Sequence, residues 1–344
     1  MDKYGYRFSF GPWNIHSGAD PFGPPVRPER SFDDKLAAYQ QLGFDAVQFH
    51  DDDAVPQLDD LSPAQIRQQA QAVRQKLSNH GLVAEFVAPR LWEHPMTVDG
   101  GFTANDPQAR AYALERARKA ADIAHELETD LMVLWLAREG TYMREAKDAR
   151  RAAHQLLEAI NMLLDYAPGL RIAVEPKPNE PMDLAYIPTM GHALALGFQA
   201  KDPARVGVLM ESAHSILAGL DPADEIAFAM AFGKLWGVHL NDQNGLKFDQ
   251  DRSFGSVDLR RAFNQVRVLD ENRYWEVGMV GLDVKAVRTQ PAEIATKHLR
   301  NSLRMFLRLV ELARSLDRQA VQTLIQARDY EELDWLILSH LVGE

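Results

Sequence analysis

Short apolar runs alternate with longer amphipathic stretches nearly to the end of this 344-residue chain, which predicts an α/β fold of the (β/α)8 or TIM-barrel type. Two further observations favour a closed barrel over an open doubly wound sheet. Each apolar run is followed by polar or aromatic residues suited to a site, and no glycine-rich phosphate loop follows the first run.

The strands are expected at Tyr6–Phe10, Ala46–Phe49, Leu82–Val87, Leu131–Trp135, Ile172–Val174, Val206–Leu209, Leu235–Leu240 and near Trp275–Val280. Helical patterns fall between them. Ser62 and Pro63 read as an N-cap followed by proline at the first helical position, and Gly81 closes that helix. A long amphipathic helix is expected over Arg144–Ala167, stopped by Pro168-Gly169. Asp221-Pro222 opens another helix, and Ser256–Leu269 supplies the next. A barrel of this type needs about 250 residues. The surplus lies in loops and in the tail after Leu316, so residues 1–315 are expected to form the catalytic barrel. Residues 316–344 are expected to form a short helical tail in oligomer contact.

Composition narrows the function classes. Hydrophobic residues make up 46%, and 49 acidic residues against 38 basic give a net charge of -11 without a long single-sign run. That argues against a nucleic-acid surface. The chain has no cysteine, which excludes disulfides and thiolate metal sites. The start, Met-Asp-Lys-Tyr-Gly-Tyr, lacks a secretory pattern, and no run approaches a membrane span. A cytoplasmic protein with neither nucleic-acid nor membrane partner is the expectation.

The most telling segment is Arg171-Ile-Ala-Val-Glu-Pro-Lys-Pro-Asn-Glu-Pro181. Its β-branched run ends in Glu175, and prolines at 176, 178 and 181 forbid a regular helix or central strand beyond it. Glu175 and Lys177 therefore sit at a strand's C-terminal tip, where α/β folds keep their chemistry. The other strands end comparably, in His50 to Asp53, Trp92 to His94, Trp135, Glu211 with His214, His239, and Asp283 with Lys285. The loop after the seventh strand adds Asp249 and Asp251. Singly, most have an ordinary explanation: a solvated acidic turn, a core tryptophan, a helix cap. A barrel brings all of them to one face. Together they make an oxygen-rich, imidazole-containing set able to hold two divalent cations.

These residues resemble those of the xylose (glucose) isomerase family. The likeness runs in order through Phe8 to Gly11, Asp20 to Gly23, Phe49 to Asp53, His94-Pro95, Asp99 to Asp106 and Arg138 to Gly140. It continues through Glu175 to Pro181, Gln243 to Asp251, Phe254-Gly255 and Asp283 to Lys285. The resemblance implies an aldose–ketose isomerase using two divalent cations per subunit, Mg²⁺, Mn²⁺ or Co²⁺, on a small sugar. Glu175, Glu211, His239 and Asp283 would hold the structural ion. Glu211, His214, Asp249 and Asp251 would hold the catalytic one. His50, oriented by Asp53, would open the sugar ring, and Lys177 would stabilise charge at the carbonyl end. Asp251 would help a proton move between hydroxyls while hydride shifts between C2 and C1. Trp92 and Trp135 would wall the transfer off from water, with Lys285 beside the substrate. Phe22 would reach a neighbouring subunit's site, which implies a homodimer or homotetramer.

The departures from that pattern bear on substrate. His239 stands where the family commonly has an aspartate, and Asp242, three residues on, is the alternative ligand. Imidazole in place of carboxylate favours Mn²⁺ or Co²⁺ over Mg²⁺. Ala88 replaces a threonine, Trp92 replaces a phenylalanine, and His16 sits in a shortened loop that usually carries a tryptophan. The tail is shorter than the family's wrapping arm. Xylose leads among the expected substrates. The rival expectations are a metal-dependent epimerase or lyase working by proton transfer, and a non-catalytic sugar-binding relative.

Overall fold

The computed structural model describes residues 2–343; Met1 and Glu344, the outer ends of the two expected segments, lie outside the described residues. Eight parallel strands close into a barrel: β1 (Phe8–Phe10), β2 (Ala46–His50), β3 (Val83–Ala88), β4 (Leu131–Trp135), β5 (Arg171–Glu175), β6 (Val206–Glu211), β7 (Leu235–Leu240) and β8 (Val280–Leu282). The seam is sealed by β1 pairing with both β2 and β8, with Phe8 opposite Val280 and Ser9 opposite Ala46. A small antiparallel pair, Gly140–Thr141 with Leu184–Ala185, ties the loops above β4 and β5.

The principal outer helices are α1 (Phe32–Leu42), α2 (Pro63–Asn79), α3 (Pro107–Glu126), α4 (Ala149–Tyr166), α5 (Met190–Phe198), α6 (Pro222–Ala231), α7 (Leu259–Glu271) and α8 (Lys297–Ser315). Beyond them lie α9 (Arg318–Ala327) and α10 (Tyr330–Val342). Their starts are written in the sequence as side-chain caps. Ser62 accepts from the Gln65 amide, and Asp221 accepts from the Ala223 amide ahead of α6. The helix expected from Arg144 begins only at Ala149, because Asp148 accepts from the Arg150 and Arg151 amides and so fixes the first turn there. Likewise α7 starts after Asp258, which caps the Arg261 amide, not at Ser256.

The eighth strand also lies later than its expected position. Tyr274–Glu276 is a 3-10 turn, and the strand proper is Val280–Leu282. The aromatic signal that suggested a strand is core packing below the barrel: Tyr274 is fully buried and Trp275 meets Tyr6 edge-on with centroids 5.4 Å apart. The first strand is trimmed for the same reason, since Tyr6 packs on Phe306 of α8 instead of pairing.

Two apolar layers follow from strands buried on both faces. The larger fills the space between strands and helices, with Phe8, Phe10, Phe49, Phe263 and Phe306 among its fully buried rings. The smaller joins Phe86, Ala88, Leu131, Val133, Ala173 and Leu209, with Trp13 and Trp236 packed on it. Among the described residues no helix is long and apolar enough to cross a membrane.

Candidate active site and metal centre

A cavity of about 620 Å³ is lined by His50, Ala88 and Trp135 from the C-terminal ends of their strands and by residues of the loops that follow. Strand endings place its candidate metal ligands. Glu175 and Glu211 are the last residues of β5 and β6, His239 is the penultimate residue of β7, and Asp283 directly follows β8. His214 comes from the short helix Ser212–Leu217 after β6, and Asp249 and Asp251 come from the loop after β7.

These side chains form three overlapping groups whose donor atoms all lie within 4.8 Å of one another: Glu175, Glu211 and His214; Glu211, His239 and Asp283; Glu211, Asp249 and Asp251. Glu211, only 1% exposed, belongs to all three. His214 Nε2 stands 3.4 Å from Glu211 and 3.1 Å from Asp249, while its Nδ1 stands 3.5 Å from Glu175. His239 Nδ1 is 3.6 Å from Glu211 and 3.8 Å from Glu175, too far for a hydrogen bond. His214 Nδ1, both ring nitrogens of His239 and Asp249 Oδ1 are buried without a hydrogen-bond partner. Buried polar atoms normally have partners, so orphaned imidazole nitrogens among carboxylates fit a bound divalent cation.

The electrostatics point the same way. Burial pushes Glu211 well above the ordinary carboxylate range, and Asp249 and Asp283 add to it while His214 and His239 oppose. Burial, then Asp249, raises Asp251 likewise. Burial opposes charge on His239 too, but Glu175 and Glu211 outweigh it and hold the imidazole's pKa high. In Asp249 the burial penalty is overcome by Lys177 and His214, which keep it ionised. Bare, this is a set of crowded negative charges; a cation relieves it.

Several residues that sequence reasoning passed over hold the ligands in place. Trp13 Nε1 and the Asn14 amide donate to Asp283 Oδ1 at 2.9 and 2.7 Å. Asn241 donates to Glu211 (2.9 Å), Asp251 (3.1 Å) and the Asp283 carbonyl (3.0 Å), and accepts from the Ala213 amide. An aromatic after β1 and an asparagine after β7 were visible signals, but neither type is a ligand by itself. Gly281 is required by space: a Cβ there would stand 2.3 Å from Gln48, 2.6 Å from the Val238 carbonyl and 3.0 Å from His239. Asp251 adopts φ +45°, a strained conformation for a non-glycine residue, and pairs with Lys285.

The alternative ligand Asp242 is engaged elsewhere. Its carboxylate accepts from the Gln243, Val257 and Asp258 amides at 2.9, 2.7 and 3.0 Å, anchoring the loop that precedes α7. His239, by contrast, faces Glu211 and Asp283.

With one exception, the remaining sequence-selected residues also gather there: His50, Lys177, Trp92, Trp135 and Lys285 line the cavity and Asp53 backs His50. Lys177, 6% exposed, donates to Asp249 at 2.9 Å and lies 4.9 Å over the Trp135 ring. Burial opposes its charge, yet Asp249, Glu180 and Glu211 raise its pKa and keep it cationic. Trp92 meets Trp135 edge-on at 4.4 Å, and His50 stacks on Trp13 at 4.1 Å. His50 Nδ1 lies 3.1 Å from Asp53, whose half-buried carboxylate is nevertheless kept below its ordinary range by His50 and Arg90. Lys285 and His16 also line the cavity. Burial, aided by Lys285, pushes His16 down to about 4, so it is neutral there. Phe22 is the exception, 86% exposed on the loop whose neighbours Asp20 and Pro21 line the rim.

The acidic triplet is not a solvated turn. Asp51 is fully buried against Arg116 at 2.8 and 2.9 Å, and Asp52 pairs with Arg90. Two further motifs shape the rim without entering the cavity. Glu139 accepts from the Gly101, Phe102 and Thr103 amides at 2.8–3.0 Å and from the Thr103 hydroxyl, locking the 99–106 and 138–140 segments together.

The fold and this cluster define a TIM barrel whose rim can hold metal. The chain belongs to the xylose isomerase-like TIM-barrel family, whose profile matches residues 36–301. Xylose isomerase of Thermus thermophilus is 36% identical over 314 residues, covering 90% of this chain and 80% of that one. Among solved structures, a xylose isomerase domain protein from Alicyclobacillus acidocaldarius superposes with a TM-score of 0.60 at 15% identity, covering 90% of this chain and 99% of that one. A D-tagatose 3-epimerase-like protein superposes with a TM-score of 0.63 at 17% identity over 89% and 98%. At such identities these two structures speak for the fold.

Proposed function

We propose that this protein is a cytoplasmic, metal-dependent aldose–ketose isomerase, with xylose the leading substrate, working as a homodimer or homotetramer. The observation that carries the reading is the buried Lys177 beside the ligand cluster, with Trp135 under its ammonium and Trp92 edge-on to Trp135. In this reading Glu175, Glu211, His239 and Asp283 would hold one cation and Glu211, His214, Asp249 and Asp251 the other, drawn from the three overlapping groups. Divalent cations held there supply Lewis-acid polarisation of the sugar's oxygens. Lys177 donates to the carbonyl oxygen as charge develops on it. Asp251 assists the proton transfer between O2 and O1, while the C2 hydrogen moves with its electron pair to C1. The Trp92–Trp135 pair keeps water from that path. His50 binds the sugar's ring oxygen before opening, and exposed Phe22 extends toward a second subunit's cavity.

The test is ketose formation from xylose, glucose, ribose, arabinose and rhamnose by metal-stripped protein reloaded with Mg²⁺, Mn²⁺ or Co²⁺, run in D₂O. Ketose without solvent deuterium at the receiving carbon is the expected result. Ketose with solvent label there sinks the hydride shift in favour of an enediol route, whereas a solvent-labelled epimer without ketose favours a second reading, an epimerase acting by proton transfer at a single cation. That reading is supported by His239 standing among the carboxylates.

A further inference from the structure

Ser9, Gly281 and His239 stand in register on three neighbouring strands, β1, β8 and β7. Gly281 leaves a gap in that row. The point where it would carry a Cβ lies 2.3 Å from Gln48 Nε2 and 3.0 Å from His239 Cδ2. The amide from β2 and the ring from β7 therefore adjoin across the glycine.

A bulge between β2 and β3 supplies what holds the amide. Val47 pairs with Ala84 and Phe49 with Val87, so Gln48 faces two residues, Glu85 and Phe86. Gln48 Nε2 donates to Glu85 Oε2 at 3.1 Å and to Ser9 Oγ at 3.0 Å, and the Ser9 hydroxyl donates in turn to the same carboxylate oxygen. Phe86 packs beside His239, with ring centroids 5.8 Å apart. Both amide hydrogens are spent on Glu85 and Ser9, which fixes Oε1 as the free end.

The ring of His239 is set by the same arrangement. Its Nδ1 edge faces Glu211 and Glu175, and its Cδ2 edge faces the amide. Nε2, bonded to Cδ2, is buried without a hydrogen-bond partner, and so is Gln48 Oε1. A neutral imidazole that offers a cation the lone pair of Nδ1 must carry its hydrogen on Nε2. That hydrogen then needs an acceptor, because an unpaired buried N–H is costly.

We infer that Gln48, buttressed by Glu85 and Ser9, is a positioning residue for His239. Its Oε1 takes the hydrogen bond from Nε2 and so commits Nδ1 to the ligand cluster. A metal-bound imidazole commonly leans on a carboxylate through its far nitrogen; here an amide stands between the two. The inference rests on the metal-binding reading of the cluster and not on the identity of the sugar.

Mn²⁺ titrated calorimetrically into metal-stripped, full-length protein gives the first test. Gln48→Met keeps the length of the side chain and removes the acceptor. It should weaken the ion that His239 holds about 10–100-fold. In a His239→Asp background the same substitution should change affinity less than about threefold, because a carboxylate has no tautomer to choose and the coupling is gone. Equal losses in both backgrounds would make Gln48 mere packing and overturn the inference, as would an unchanged affinity in the parent.

The second test is a crystal structure of the unmodified protein with Mn²⁺, which decides the matter even if Gln48→Met does not fold. Nδ1 is expected on the ion, with Gln48 Oε1 about 3 Å from Nε2. Ligation through Nε2, or an Nε2 bonded elsewhere, overturns the inference. Failure of the unmodified protein to take up Mn²⁺ would sink the metal reading itself, and the metal-free crystal structure would still show whether Gln48 and His239 pair.

Discussion

Replacing Lys177 by methionine tests the proposed chemistry most directly, because the stem keeps its packing on Trp135 while the charge is removed. Truncating one side of a buried ion pair costs about 3–5 kcal/mol when the remaining charge is left bare. Asp249 is not left bare: His214 Nε2 stands 3.1 Å from the same oxygen, and a bound cation would neutralise it further. The cost in stability is then nearer that of one imperfectly satisfied buried group, about 1–3 kcal/mol. Unfolding entropy of about 0.7 kcal/mol/K for a chain this long makes that about 1–4 °C in Tm. The effect on catalysis is larger. Loss of a donor aimed at developing charge lowers kcat about 10²–10³-fold. The assay is aldose-to-ketose turnover beside a thermal melt with and without Mg²⁺. A kcat within tenfold of the unmodified enzyme, from protein whose melt still responds to metal, would refute a role for Lys177 at the carbonyl.

Four further outcomes rest on the same geometry. Saturating the ligand cluster with Mg²⁺ at a thousand times Kd should add about 4 kcal/mol per ion, about 6 °C in a calorimetric melt; a chelator that leaves Tm unmoved would contradict metal binding there. Without metal, Glu211, Asp251 and His239 have folded-state pKa values raised above their unfolded ones, so their stabilisation is present at low pH and lost as pH rises. The metal-free protein should therefore weaken from about pH 4, the unfolded carboxylate value, and further from about pH 6.5, the unfolded imidazole value, upward, and urea midpoints at pH 5 and 9 check the sign. Gly281→Ala should push His239 aside, costing about 1–3 kcal/mol by overpacking and about 10–100-fold in metal affinity, as titration calorimetry would show. Glu139→Ala should cost more than about 3 kcal/mol by stranding buried amides, with kcat retained at low temperature; a urea midpoint within error of the parent's would show the clamp to be dispensable.

The barrel was legible because strands buried on both faces leave continuous apolar runs, and Leu131–Trp135 and Leu235–Leu240 match their expected bounds to the residue. The misplaced first and last strands share one cause. Tyr6, Tyr274 and Trp275 are core aromatics below the barrel, and an apolar run does not say whether its residues pair or pack. At the site, ligand types at strand ends pointed to the rim. What could not be read was how those ligands are held. Asn241, Trp13 and Arg90 act by hydrogen-bonding a neighbour, and residue type alone does not disclose that. A shared motif does not by itself mark the cavity: Asp99 to Asp106 and Arg138 to Gly140 carry the family likeness, yet they meet each other through Glu139, outside the cavity. Asp242 illustrates the same limit, since only its three amide partners distinguish it from His239 as a ligand.

The bonds from Trp13 and Asn14 to Asp283 span 270 and 269 positions of the chain. During synthesis the two donors emerge almost first, and their acceptor comes near the end of the barrel. No shorter nascent chain can complete the site, because β1 has no second neighbour until β8 arrives. Metal affinity at the proposed site would therefore be tied to circular closure of the sheet, and a ribosome-bound barrel stalled before residue 283 would carry most of the candidate ligands without the strand that sets the last one. Ligand capture becomes a report that the first and last strands have met.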